Sequence, residues 1–294
     1  MPAGQIRYSR PVIPFVKGHG LGNDYLVVDA ADLGGHALAP ETVRLWCDRH
    51  RGVGADGILV RVPSRTADVG VRIFNPDGSE AEKSGNGLRI FAKYLFDHGH
   101  ARAPRFTVET TGGVVACECH LVAGRVGAVT VEMGRATFVP AEIPMLGVAG
   151  DAVEVPLDVP GGERVVVTAV SIGNPHCVVF RDAVDEAACR ALGPVLERHA
   201  AFPKRTNVQL AHTLGPDAIE IRIWERGAGY TLASGSSSCG AAAAAVRTGR
   251  CEAGRIRVEM PGGELVVHVR ADWSLRLEGP VVEVFTGRIA LPPT

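Results

Sequence analysis

Short apolar runs with strand-like composition fill much of the chain, and four stretches between them have helical character. The runs Tyr25–Asp29, "DGILVRV" (56–62), "VRIFN" (71–75), Cys177–Phe180, "NVQLAHT" (207–213) and "IEIRIWE" (219–225) each predict a strand. They are rich in Val, Ile and Leu and are bounded by Gly, Pro, Asn and Asp. Helices are expected near Pro40–His50 and Glu186–His199, and over Gly85–Asp97 and Gly235–Arg247. The alanine run 241–245 is a strong helix former. Two hairpin-like pairs follow the last two helices, "FTVETTGGVVACECHLV" (106–122) and "IRVEMPGGELVVHVR" (256–270), with GG pairs suited to tight turns.

The pattern occurs twice. "IFNPDGSEAEKSGNG" begins at Ile73 and contains Ser84, and "IWERGAGYTLASGSS" begins at Ile223 and contains Ser234, 150 residues later. "FTVETTGG" and "IRVEMPGG" end at Gly113 and Gly263 with the same offset, and "GNDYLVV" (22–28) matches "GNPHCVV" (173–179) at 151. Matches in one register mean one fold used twice. The expected class is α+β: two pseudo-symmetric domains, each a curled, mostly antiparallel sheet around a central helix. The expected division is 1–133 plus 282–294 and 134–281, with 134–150 as connector and a ligand cleft between the domains.

Composition narrows the function. A chain of 294 residues, 46% hydrophobic, can build two cores, and a net charge of −1 gives no reason to expect nucleic acid or a membrane surface as partner. No apolar run reaches the length of a membrane span, and "MPAGQIRYSR" at the start lacks the apolar core of a secretory signal, so a cytoplasmic location is expected. The seven cysteines are odd in number and not spaced as a disulfide framework, so reduced thiols are expected. "CEC" at 117–119 places both thiols on one side of a strand, but no second ligand pair is nearby and no metal is expected. Cys239 reads as a small core residue. No P-loop, dinucleotide fingerprint, HExxH or nucleophile elbow occurs, so the expected chemistry needs no cofactor.

The repeated Ser-Gly stretch carries the candidate chemistry. A helix N-terminus offers unpaired N–H groups and partial positive charge, and glycine lets a ligand approach the backbone closely. Serine is a common helix cap, yet a cap serving only stability has no need to recur in a shared context. Two such termini facing one ligand would grip a carboxylate and serve two faces of a carbon. Asn23, Asn75, Asn174 and Asn207 stand at strand–turn junctions, where amides reach ligands or merely close turns. Arg226, beside Glu225, suits bidentate capture of a carboxylate or a surface ion pair. His176 follows "GNP" and reads either as a neighbour of the reacting group or as a buried, satisfied histidine.

In "GLGNDYLVVD", "RGVGADGIL", "IFNPDGSEAEKSGNGLR", "IGNPHCVV", "PKRTNVQL" and "WERGAGYTLASGSSSCGAA" the chain resembles the diaminopimelate epimerase family over nearly its whole length. The resemblance implies a cofactor-free isomerase and homodimer that inverts an amino-acid α-carbon with two bases. It implies an amino-acid or dicarboxylate substrate held by Asn23, Asn75, Asn174, Asn207 and Arg226. The α-carboxylate would lie on Gly85–Asn86 and Gly235–Ser236, with His176 and Glu225 tuning the bases. The family has cysteine at both base positions, where this chain has Ser84 and Ser234. Tyr230 stands where the family usually has glutamate, and Lys83 adds a charge beside the first site.

The replacement matters energetically. A thiol ionises near 8.5 and an alcohol about as reluctantly as water, near 15.7, so forming the base costs on the order of 9–10 kcal/mol more. A helix terminus returns at most about 2 kcal/mol. Three readings follow. The serines are activated by neighbours such as Lys83, His176 or Glu225. Alternatively, the chain is another cofactor-free isomerase, acting on a different amino acid or shifting a double bond in a carboxylic acid, with Lys83 as base. The third reading is a ligand-binding relative without turnover, or a Cys→Ser variant.

Overall fold

The computed structural model of the chain describes residues 11–35, 37–162 and 164–292. The N-terminal decapeptide inspected for a secretory signal lies outside them. Two compact units are formed. Unit 1 runs to Gly127 and resumes at Val281, and unit 2 is Ala128–Pro280. Both boundaries fall before the 133/134 and 281/282 positions expected from the repeat.

Unit 1 contains β1 (Val12–Gly20), β2 (Asn23–Asp29), α1 (Pro40–Cys47), β3 (Ile58–Val62), β4 (Val69–Phe74), β5 (Glu80–Ala81), α2 (Gly85–Asp97), β6 (Arg105–Thr110) and β7 (Gly113–Val122). Strand β8 (Arg125–Arg135) leads into unit 2, which continues with β9 (Val155–Asp158), β10 (Arg164–Ser171), β11 (Pro175–Phe180) and α3 (Glu186–Glu197). There follow β12 (Asn207–Gly215), β13 (Ala218–Glu225), β14 (Gly229–Thr231), α4 (Gly235–Arg247), β15 (Gly254–Met260), β16 (Gly263–Val269) and β17 (Ser274–Pro280). The last strand, β18 (Val282–Ala290), belongs again to unit 1.

In unit 1 the strands pair in the order β18-β1-β2-β3-β4-β6-β7, and in unit 2 in the order β9-β10-β11-β12-β13-β15-β16-β17-β8. Both sheets are antiparallel except at two equivalent places, β2/β3 with β4/β6 and β11/β12 with β13/β15. Parallel neighbours need a crossover connection, and the four α-helices sit on those four crossovers. The repeat in sequence is therefore a repeat in topology, and the class is the sheet-dominated α+β arrangement expected.

Helix α4 packs against β10–β13 and β15–β17, so sheet surrounds it on several sides. Its alanines 241–245 are fully buried, and small side chains let the strands close around it. Helix α2 packs against β1, β2, β7 and β18 and buries Leu88, Ile90, Phe91 and Leu95. The other two helices form a second layer. Val43 and Trp46 of α1 share a core with Leu26, Val28, Ile58 and Phe74, and Cys189 and Leu196 of α3 share one with Val167, Cys177 and Leu210.

Three expectations need correction. Helix α1 stops at Cys47, short of His50, because the Asp48 carboxylate accepts the N–H groups of His50 and Arg51, both at 2.8 Å, and closes a turn. Helix α3 stops at Glu197, short of His199, whose ring instead meets the Asp158 carbonyl at 3.1 Å. The supposed connector 134–150 is part of unit 2: Thr137 bridges to Ser171, and Phe138, Ile143 and Met145 are buried.

Candidate active site

Matching hairpins deliver the two serines. β5 returns along β4 with Ile73 opposite Ala81, and β14 returns along β13 with Ile223 opposite Thr231. Three residues later Ser84 and Ser234 take extended backbone angles (φ −141°, ψ 117° and φ −152°, ψ 125°) and start helices of 13 residues each. Ser84 Oγ accepts from Gly87 N–H at 3.0 Å, and Ser234 Oγ from Ser237 N–H at 3.4 Å. Each serine is thus an N-cap. The N–H groups of Gly85–Asn86 and Gly235–Ser236 have no such partner within their own first turn, which is where a helix receives an anion.

Around Ser84, unit 1 brings together Tyr25, Asn23 and Asn86. The Tyr25 hydroxyl is 3.2 Å from Ser84 Oγ. Asn86 donates to Asn23 Oδ1 at 3.1 Å and accepts from the fully buried Arg89. Asn23 in turn donates to Asp56 at 2.9 Å. Behind them Asp24 is held by Lys17 at 2.9 Å and by Arg49 at 2.7 and 3.2 Å. Burial raises the Asp24 pKa, but the hydrogen bonds from Arg49 and Lys17 outweigh it and hold the group at about 2. The Asn75 amide closes its own turn through Ser79 Oγ at 3.0 Å. Lys83 is half-buried, and its charge favours ionisation of Cys117, although burial pushes that thiol up to about 12.

Around Ser234, which is buried, stand Glu225, His176, Gln209 and Ser237. Desolvation raises the Glu225 pKa, and the nearby hydroxyls of Ser234 and Thr231 partly offset it. His176 is fully buried, and desolvation lowers its pKa to about 3, with the Arg226 charge adding to the effect and the Gln209 hydrogen bond opposing it. The ring is therefore neutral. Gln209 donates to Nδ1 at 3.2 Å, so Nε2 carries the proton and donates to Asn174 Oδ1 at 3.1 Å. Both ends of the Asn207 amide are engaged: Nδ2 donates to the Pro175 carbonyl at 2.9 Å and Oδ1 accepts from Arg226 N–H at 3.0 Å. The Arg226 guanidinium is exposed and donates to the Lys204 carbonyl at 3.1 Å.

The sequence reading overlooked four residues that shape these surroundings. Tyr25 and Gln209 touch Ser84 and His176 directly. Ser237 Oγ accepts from Gln209 at 3.0 Å. Glu197, almost fully buried, accepts from Trp224 Nε1 at 2.8 Å and Gly227 N–H at 3.3 Å and so fixes the turn that carries Glu225 and Arg226. One signal was available, because the match of "GNDYLVV" with "GNPHCVV" pairs Tyr25 with His176. All seven cysteines are buried and none is in a disulfide; burial raises Cys47 and Cys119 to about 12. Among the described residues no three His, Cys, Asp or Glu side chains gather as a metal site, and no helix is long and apolar enough to cross a membrane.

The same fold occurs in solved structures named as racemases and isomerases. A probable proline racemase from Agrobacterium radiobacter superposes with a TM-score of 0.66 at 18% identity, over 96% of this chain and 94% of that one. A methylitaconate-delta-isomerase gives 0.67 at 14% identity, over 96% of each chain. At these identities the likeness is one of fold, the sheet-dominated α+β architecture described above.

Sequence similarity is more specific. The family model described as diaminopimelate epimerase matches residues 15–139 and 168–288. A diaminopimelate epimerase from Pelotomaculum thermopropionicum is 44% identical over 93% of this chain and 97% of its own length. One from Desulforudis audaxviator is 45% identical over 93% and 98%, and diaminopimelate epimerase 2 from a Nostoc species is 44% identical over 94% and 95%. This chain belongs to the diaminopimelate epimerase family.

Proposed function

We propose that this protein is a cofactor-independent isomerase that interconverts LL- and meso-diaminopimelate, with Ser84 and Ser234 at the positions of the family's two cysteine bases. The observation that carries the reading is the equivalent placement, in each repeat, of a serine-capped, glycine-opened helix start among amides and a tuning group. The α-carboxylate would be bound by the N–H groups of Gly85–Asn86 and Gly235–Ser236, and Arg226 would take the distal carboxylate. Asn23, Asn75, Asn174 and Asn207 would fix the rest of the substrate.

In the reaction the Cα–H bond breaks and its proton passes to one base. The electron pair stays on Cα, delocalised into the α-carboxylate, and the opposite base supplies a proton to the other face. Positive helix ends stabilise the charge that develops on the carboxylate. Serine needs help to act as a base. On the unit 2 side Glu225, desolvated and beside Ser234, is the acceptor to which the Ser234 hydroxyl can relay a proton. His176, neutral and held by Gln209 and Asn174, orients that surrounding rather than carrying charge.

The test is hydrogen–deuterium exchange at Cα in heavy water with diaminopimelate, compared across Ser84→Ala, Ser234→Ala and Lys83→Ala. Each serine variant is expected to abolish exchange from the epimer whose Cα proton that serine draws. Exchange lost only in Lys83→Ala would transfer the reaction to lysine, and binding without exchange in the wild type would end the epimerase reading.

We also infer a homodimer. Among the described residues β18 is paired only with β1, and it exposes Val282 (47%), Val284 (51%) and Phe285 (44%). Light scattering should give twice the chain mass, reduced to one by Phe285→Glu; a monomeric wild type would refute this. A cytoplasmic location suits seven cysteines that form no disulfide, and recovery of the native protein outside the cytosol on cell fractionation would contradict it.

A further inference from the structure

We propose that Tyr25 is the proton-relay partner of Ser84, an assignment that rests on the epimerase reading above. The repeat places Tyr25 where unit 2 has His176, but the two rings are engaged differently. In unit 2 both His176 nitrogens have partners away from the cap serine, Asn174 on one side and Gln209 on the other. In unit 1 the phenol oxygen meets the cap serine itself at 3.2 Å. Tyr25 is buried at 7% exposure, and a Cβ on Gly57 would come within 2.6 Å of its ring, so that glycine allows the ring to lie where it does. Ser84 accepts the Gly87 N–H through one lone pair, which leaves its own proton free to be donated to Tyr25 Oη.

The geometry answers the difficulty that serine raises. A phenol ionises near 10 and an alcohol near 15.7, so at a given pH phenolate is about 10⁵–10⁶ times more abundant than alkoxide. In the step, the Cα–H bond of the substrate breaks as Ser84 Oγ gains that proton. Ser84 simultaneously passes its own hydroxyl proton to the Tyr25 phenolate. The electron pair remains on the substrate, Ser84 ends as it began, and Tyr25 ends as neutral phenol. In the opposite direction the phenol returns the proton by the same route. The two units would thus serve the two faces with different terminal acids, a phenol behind Ser84 and a carboxyl behind Ser234.

The test uses the full chain with LL- and meso-diaminopimelate, each supplied separately in heavy water. Tyr25→Phe keeps the ring and removes the oxygen. Exchange beginning from one epimer should fall roughly 10²–10⁴-fold, while exchange from the other, drawn by the Ser234 side, largely persists and calorimetric binding is unchanged. In a Ser84→Cys background the thiolate is itself the base, so adding Tyr25→Phe should then have little effect. Equal exchange by Tyr25→Phe and wild type would overturn the assignment and leave the epimerase reading standing. Loss from both epimers that Ser84→Cys does not bypass would also overturn it, marking the ring as structural. A wild type that exchanges neither epimer would end both readings.

Discussion

Asp24 joins the stability of unit 1 to its candidate site, and Asp24→Asn tests that link. The side chain is buried, bridged by Lys17 and by both terminal nitrogens of Arg49, and its neighbour Asn23 belongs to the Ser84 surroundings. Burial disfavours its charge, but the Arg49 and Lys17 bonds prevail and bring the pKa from the ordinary 3.8 to about 2. At 1.36 kcal/mol per unit the shift corresponds to roughly 2 kcal/mol of stabilisation. The folded-state pKa is depressed, so the contribution is whole above about pH 4 and disappears as pH falls through about 2. Asp24→Asn should therefore lower the unfolding free energy by about 2 kcal/mol at pH 7, and by less at pH 3. The measurement is urea unfolding followed by Trp46 fluorescence, with Trp224 and Trp273 replaced by Phe so that unit 1 alone reports. A deficit of the same size at pH 7 and pH 3, or none at pH 7, would refute the reasoning.

Two further predictions concern unit 2. A Cβ at Gly240 would lie 2.9 Å from His176 Cγ and 3.0 Å from its Cβ, so Gly240→Ala should cost about 1–3 kcal/mol in denaturant titration. The cost should largely vanish in a His176→Ala background, and a simple sum of the two effects would show that the contact does not matter. Glu225 has a raised pKa through desolvation, so the fold favours its neutral form, and the benefit present at low pH is lost as pH rises through the folded-state value. Glu225→Gln should therefore stabilise the protein at pH 7 but not at pH 4, while lowering Cα exchange; equal stability at both pH values would count against a desolvated carboxyl.

Where a local signal sufficed, the sequence was legible to the residue. Helices α2 and α4 start after Ser84 and Ser234 and end at Asp97 and Arg247 as expected, because the cap, the glycine and the helix-forming run all lie within one window. The ends of α1 and α3 were less legible, since Asp48 and His199 stop or leave the helix through contacts that compete with helical hydrogen bonding. Segment 134–150 misled for a different reason. Its prolines and glycines resemble a linker, yet Phe138, Ile143 and Met145 find a core only once unit 2 has formed. The partners of the site residues were the least legible. Tyr25 and Ser84 are 59 positions apart, and Gln209 and His176 are 33, so only the folded sheet brings them together.

The return of β18 to pair with β1 has a consequence for how the chain is made. Unit 2 is one uninterrupted segment, whereas unit 1 receives the strand that pairs with β1 on its far side only from residues translated after all of unit 2. On the ribosome, which adds roughly 5–20 residues each second, unit 2 can therefore close while the β1 edge is still waiting for its partner. Val281 N–H lies 3.2 Å from the Gly127 carbonyl, so the two ends of the inserted segment meet at a single point. A nascent chain released before that strand emerges would carry a finished Ser234 half beside an incomplete Ser84 half.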